Sequence, residues 1–257
     1  MQILKDTTQS AHYYSKDGKP QHTVIGKSTG KPRPTTIADA RKNDWLPSCT
    51  TILKVLHKPA LERWKIGQAV LACMTATKNP DEDIDAFINR VLNIEGQDMQ
   101  EAAIARDLGI DIHDALETVL NGGQCSPELS VYVGPALELI QRLQQEYGVK
   151  VMHTEKILIG DGYAGTTDLI LGDNLNLEIL VDFKTTKSIP KTEPWAEHKI
   201  QLAAYANTRK APSRRIFNLY ISTIELGKVS LLDCGDWKEI YPQFHHILQY
   251  WKLANKF

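Results

Sequence analysis

The spacing of hydrophobic positions changes character near residue 149. Up to that point apolar residues recur three and four apart, which predicts helices over 46–56, 60–77, 81–95, 98–121 and 130–148. Ser48 or Thr50 is placed to cap the first, and Pro59 separates it from the second. The Asn121-Gly122-Gly123 run closes the fourth, and Gly148 ends the fifth. From Val149 the apolar runs become short and rich in β-formers, separated by Gly, Asp and Asn turns, which predicts strands over 149–160, 163–172 and 176–186. A helix over 193–210, two strands within 214–234 and a closing helix over 236–257 complete the pattern. Residues 1–45 are polar and read as irregular or as a small hairpin over 13–25, turning at Asp17-Gly18. The order predicts an α/β (α+β) fold, a central mixed sheet flanked by helices. On this reading an N-terminal segment 1–45 precedes one domain, 46–257, made of a helical layer 46–148 and a core 149–257.

Two of the apolar runs contain acids. In the stretch GTTDLILGDNLNLEILVDFKTTK, residues 165–187, Asp168 and Asp182 each interrupt a strand, and Lys184 follows the second. Charges are rarely set into buried strands without partners. Alternation places Asp182 and Lys184 on one face with Leu180, about 6.6 Å apart, while Ile179, Val181 and Phe183 face the other way. A hairpin centred on Leu175 sets Asp168 directly opposite Asp182. Centring on Asn174 makes them diagonal neighbours, still about 7–8 Å apart. Two carboxylates this close repel unless a positive charge joins them. Lys184 closing a buried triad is one solution. The other is a hard divalent cation such as Mg²⁺ or Mn²⁺, with Lys184 orienting or deprotonating a water, a grouping suited to metal-assisted phosphodiester hydrolysis.

The ordered set Gly165-Thr-Thr-Asp168, Asp182-Phe183-Lys184 and Gln201-Leu-Ala-Ala-Tyr205 resembles the PD-(D/E)XK nuclease superfamily. The Gln-x-x-x-Tyr element is similar to that of its RecB-like, phage and mitochondrial exonuclease branch. Upstream, Gly109-Ile-Asp-Ile-His113-Asp-Ala-Leu-Glu117 and Pro47-Ser-Cys-Thr-Thr-Ile-Leu53 also look like elements of that branch. The resemblance covers roughly residues 46–205. It implies a restriction-endonuclease-like core and a Mg²⁺- or Mn²⁺-dependent DNA nuclease, an exonuclease by preference, in recombination, repair or phage DNA processing. It makes Asp168, Asp182, Lys184, Gln201 and Tyr205 catalytic. It makes His113, Asp168, Asp182 and the backbone carbonyl of Phe183 the metal ligands. Glu117 and Glu155 support them, Glu117 by fixing the His113 ring or as a plain surface pair. A catalytically silent DNA-binding or assembly module on the same fold remains an alternative, as does a nuclease of the CRISPR-adaptation type.

Composition adjusts this picture in three places. The four cysteines, Cys49, Cys73, Cys125 and Cys234, have no CxxC spacing, so no iron–sulfur cluster, zinc ribbon or disulfide framework is expected. That departs from the cluster-bearing CRISPR group. The formal charge of −1 hides an asymmetry: residues 184–215 carry eight Lys/Arg and two Glu, whereas residues 81–117 carry eleven acids and two Arg. A basic face of this kind suits DNA, single- or double-stranded, although oppositely charged solvated surfaces give the same pattern. Lys54, Arg63, Trp64, Lys187 and Lys199 are candidate DNA contacts, with recombination or replication proteins as further partners. No apolar run approaches the roughly 20 residues of a membrane span, and the first residues lack an apolar signal core. The expectation is a cytoplasmic protein of a bacterial or phage-infected cell.

Overall fold

The computed structural model describes residues 11–257 except 27–28, 95 and 174–175, and the backbone alone of 60–61, 92–94 and 96–103. It divides into two compact units, residues 1–55 with 112–257, and residues 56–111. The boundary therefore falls inside the stretch 46–148 that the sequence groups as one layer, and the N-terminal segment shares a unit with the sheet.

The larger unit is built on a five-stranded mixed sheet in the order β5-β6-β7-β8-β9. Its strands are β5 (Lys150–Gly160), β6 (Tyr163–Gly172), β7 (Leu177–Thr186), β8 (Ser213–Ser222) and β9 (Val229–Asp233). Neighbours are antiparallel except β7 and β8, which run parallel. Parallel neighbours need a crossover, and α7 (Ala196–Asn207) supplies it. Ile179, Leu180, Val181, Leu219 and Ile221 are all fully buried. Each contributes about 1.5–3 kcal/mol by leaving water. The continuous apolar run of β7 is thus explained by cover on both faces. Gln201 and His198 of α7 meet side chains at even positions of β7 and β8. Tyr147, at the end of α6 (Pro127–Tyr147), packs on Phe217 and under Arg215, at odd positions. Because alternate side chains of a strand point to opposite faces, α7 and α6 cover different sides of the sheet. Gly148 takes the left-handed conformation (φ +66°) that stops α6 before β5 begins.

The closing helix α8 (Trp237–Asn255), capped by Asp236, packs against α7. Short α2 (Cys49–Leu53) is capped by Ser48, whose hydroxyl accepts the Thr51 N–H at 3.0 Å. Cys49 and Ile52 are fully buried.

The N-terminal segment differs from its expected form. The Asp17-Gly18 turn is present, with Ser15 donating to the Lys19 carbonyl at 2.9 Å and an isolated bridge between Tyr14 and Pro20. The strands around it, however, pair elsewhere: β1 (Tyr13–Tyr14) with β4 (Leu46–Pro47), and β2 (Thr23–Ile25) with β3 (Pro32–Pro34). Tyr13 and Tyr14 are only 1% and 5% exposed. Burying two aromatic rings outweighs what a free-standing hairpin gains. A helix not anticipated, α1 (Ile37–Asn43), starts at Thr36 in a reciprocal cap with Asp39, which also takes a two-pronged contact from Arg33.

The unit 56–111 contains α3 (Pro59–Thr75), α4 (Ile84–Ile94) and the start of α5 (Gly96–Leu120), the rest of which lies in the larger unit from Ile112. Pro59 sits in the first turn of α3, where its missing N–H costs nothing. Among the described residues no helix is long and apolar enough to cross a membrane.

Candidate metal centre and basic cluster

Strand register decides which side chains meet. Pairs from Leu169↔Val181 to Gly172↔Glu178 give the β6–β7 hairpin the register centred on position 175, although the turn residues themselves lie outside the described ones. Continued by one step, that register sets Asp168 beside Asp182. The β5–β6 pairs Thr154↔Leu169 and Lys156↔Thr167 flank Glu155 and Asp168, and β7–β8 pairs Asp182 with Asn218. Glu155, Asp168, Asp182 and Asn218 therefore form one row across four neighbouring strands.

The β6–β7 ladder stops one step short of this row. In its place the Phe183 N–H donates to Asp168 Oδ2 at 2.5 Å, which anchors the carboxylate between the strands. The N–H and C=O of a strand residue leave on the same side, so the Phe183 carbonyl also turns toward β6. From the other side of the sheet, α5 presents His113. Its ring meets the Phe183 edge at 5.7 Å, and its Nδ1 lies 3.8 Å from Asp168 Oδ1. One ligand atom each from His113, Glu155 and Asp168 lie within 4.8 Å of one another.

Glu155 belongs to this group through an unusual backbone. Its φ is +43°, in the left-handed region, where a side chain costs about 1–2 kcal/mol. A bulge between Val151 and His153 shifts β5 just before it. Strain of this kind persists where the surroundings impose it, and it gathers at functional sites. Partial burial, with the charges of Asp168 and Glu117, pushes the Glu155 carboxyl up to about 7. The residue still meets solvent, which screens part of that effect. For His113, burial favours the neutral ring, but the Asp168 hydrogen bond and the charges of Asp168 and Asp182 outweigh it and raise the pKa.

Asp182 lies in a second, adjoining group. Both its oxygens are engaged: Oδ1 accepts from Gln201 Nε2 at 3.3 Å, and Oδ2 from Lys184 Nζ at 2.8 Å and Asn218 Nδ2 at 3.2 Å. Gln201 links the parts, its carbonyl taking Lys184 Nζ at 3.2 Å and its amide reaching Tyr205 Oη at 3.1 Å. Burial pushes the Asp182 carboxyl above the usual range against the pull of Lys184. Burial opposes the Lys184 ammonium, but Asp182 and Asp168 more than restore it and raise its pKa.

The residues singled out in the sequence thus fall into two adjoining groups. Glu155 stands in the donor set beside His113 and Asp168, where the sequence reading had Asp182. Glu117 meets Thr154, whose hydroxyl lies 3.4 Å from Glu117 Oε1. The donor set, one imidazole and two carboxylates, fits Mn²⁺, which accepts mixed N/O ligands, and Mg²⁺, which is held by few carboxylates and keeps its waters. Tyr205 explains Gly165: a Cβ there would lie 2.6 Å from the Tyr205 ring and hydroxyl. Lys187 is exposed just beyond β7, and Lys199 on α7 pairs with Glu193 at 3.2 Å. Lys54 is exposed at the end of α2. Arg63 and Trp64 lie exposed on α3 in the other unit.

Asn218 and Tyr14 were not foreseen. Asn218 is fully buried, and its Oδ1 accepts from the Cys234 thiol at 3.2 Å, which fixes the direction of its amide. An amide inside the apolar run IFNLYIS carries the same signal that singled out Asp168. Tyr14 Oη shares a hydrogen bond with Thr166 at 3.1 Å, two positions from Asp168 along β6. No local pattern announces that contact across the chain. Two surface cavities, of about 580 Å³ beside Tyr13 and Trp251 and about 380 Å³ beside Arg214 and Trp237, contain none of the row's residues.

No protein-family model matches the sequence, and no curated protein matches it. Among solved structures, one titled "Crystal structure of SSO0001" is similar at 17% identity, covering 76% of this chain and 88% of that one. Its TM-score of 0.28 is too low to carry an argument about fold or activity.

Proposed function

We propose that this chain is a divalent-metal-dependent DNA nuclease, an exonuclease by preference, on a restriction-endonuclease-like core. The observation that carries the proposal is the adjacency of two groups on one row of the sheet. One is a donor set of His113, Glu155 and Asp168; the other is an ammonium, Lys184, held by Asp182 and Gln201. Asp182 and Lys184 also lie in the carboxyl half of β7, one of the two parallel strands, the end at which open α/β sheets bind ligands.

A divalent cation in the donor set would supply Lewis acidity, lowering the pKa of a water and offsetting charge on a phosphoryl oxygen. His113, Glu155 and Asp168 are the residues to hold it. The charges of Asp182 and Asp168 raise the Lys184 pKa, which suits the ammonium to orienting the attacking water or the phosphate by donation. Asp182 and Gln201 fix the direction of that ammonium, and Tyr205 fixes Gln201.

The test uses DNA labelled at either end, single- and double-stranded, and a circular substrate, each with Mg²⁺, Mn²⁺ or EDTA. Metal-dependent loss of linear DNA is expected, with the circle spared. Lys184→Ala and Asp182→Ala should reduce the rate at least about a hundredfold, the scale seen when a positioned electrostatic donor is removed. Cleavage that survives EDTA, or variants that cut at the wild-type rate, would overturn the reading.

A further inference from the structure

The nuclease reading leaves unexplained a tier of aromatic rings next to Lys184. Lys184 pairs in register with Tyr220 on the parallel neighbour β8, so both side chains stand on the same face, about 4.8 Å apart at the backbone. Tyr220 is fully buried, and its hydroxyl is 2.9 Å from His198 Nδ1 and accepts the Trp195 N–H at 3.2 Å. Trp195 meets the His198 ring at 5.3 Å and the Tyr220 ring at 5.6 Å, both edge-to-face, and His198 stacks on Tyr220. Trp195 is nevertheless 43% exposed. It caps the same helix that carries Gln201 onto Lys184. Exposed Lys187 and Lys191 lie in the segment that joins β7 to this helix.

An indole held by two neighbouring rings and still 43% exposed offers surface to another flat π-system. The lysines supply charge that complements a phosphate backbone. We infer that Trp195, held by His198 and Tyr220, is a stacking platform for an unpaired nucleobase, adjacent to the phosphate that Lys184 engages. The inference rests on the nuclease reading and narrows its substrate to DNA whose bases are unstacked at the site, a single strand or a frayed end. A base inside a duplex has both faces covered and cannot use the platform.

The experiment is fluorescence anisotropy with a labelled single-stranded oligonucleotide in EDTA, so that binding is read without cleavage. Wild-type protein should bind the single strand more tightly than its blunt duplex. Trp195→Ala should weaken single-strand binding about tenfold, while Trp195→Phe retains most of it, the range expected for loss of one stacked base. One abasic position should weaken wild-type binding and leave Trp195→Ala unaffected. Circular dichroism checks that both variants fold. Equal binding by Trp195→Ala and wild type, or an abasic scan that affects both alike, would overturn the inference while metal-dependent cleavage still stood. Trp195-dependent binding with no cleavage under any metal would sustain the platform and overturn the nuclease reading instead.

Discussion

Asn218 donates its side-chain amide to Asp182 Oδ2 at 3.2 Å from the facing position on the neighbouring parallel strand. It is one of three donors to a carboxylate that is almost wholly buried. Replacing it with leucine keeps the branched shape, adds some volume, and removes a hydrogen bond to a charged group. Stability should fall by about 1.5–3 kcal/mol, read by urea denaturation. A lost donor disfavours the carboxylate, so the Asp182 pKa rises further. The acid limb of the pH–rate profile for the proposed DNA cleavage should then move to higher pH, a shift that loss of packing alone would not produce.

Gly165→Ala tests the close approach of β6 and α7. The added methyl would sit 2.6 Å from the Tyr205 ring, and Tyr205 is itself buried. Overpacking at such a contact should cost about 1–3 kcal/mol in thermal or urea unfolding. Tyr205→Phe on the Gly165→Ala background should not restore it, because the ring carbons clash as well as the hydroxyl.

Glu155 gives a pH dependence whose sign follows from its raised carboxyl. The folded state favours the protonated form, so this contribution to stability is full below about 4.5 and is lost as pH rises through about 7. A bound cation favours the ionised form instead. The rise in melting temperature on adding Mn²⁺ should therefore grow between pH 6 and pH 8. In Glu155→Gln that growth should shrink to the part that deprotonation of His113 supplies. Glu155→Gly, which accepts φ +43° without strain, should melt higher than wild type without metal and respond less to Mn²⁺.

Glu178 and Arg209 form a two-pronged ion pair, 2.8 Å and 2.6 Å, that ties the segment after α7 to the start of β7. Their side chains are only 11% and 19% exposed. Glu178→Ala leaves the guanidinium largely buried and should cost about 3–5 kcal/mol. The double variant Glu178→Leu with Arg209→Met should be much closer to wild type, since an apolar pair replaces a desolvated one. Urea denaturation of the cycle checks both values.

Much of the fold was legible because its signals are local. The period change at residue 149, the Ser48 cap, the Gly148 stop and Pro59 in the first turn of α3 all act within a few residues. The Asp182-Phe-Lys184 spacing was readable for the same reason: alternation along one strand needs no partner to define it. Short α1 escaped notice because seven residues give too little periodicity, and its stability comes from the Thr36, Asp39 and Arg33 contacts.

What the sequence determined alone was the helix and strand order from residue 49 onward and the presence of two acids and a lysine in adjoining apolar strands. Tertiary structure decided how those charges are shared. Glu178 shows the limit: it lies in the same apolar run as Asp182, yet it pairs with Arg209 and never joins the row. Spacing could not separate the two, because a buried carboxylate is defined by what lies across from it. Asp182 meets Lys184, Gln201 and Asn218, while Asp168 meets His113 and Glu155. Lys184 aside, those partners come from β5, β8, α5 and α7, between 13 and 55 residues away along the chain. Only the register of the strands and the packing of the helices bring them within hydrogen-bonding and ligand distance.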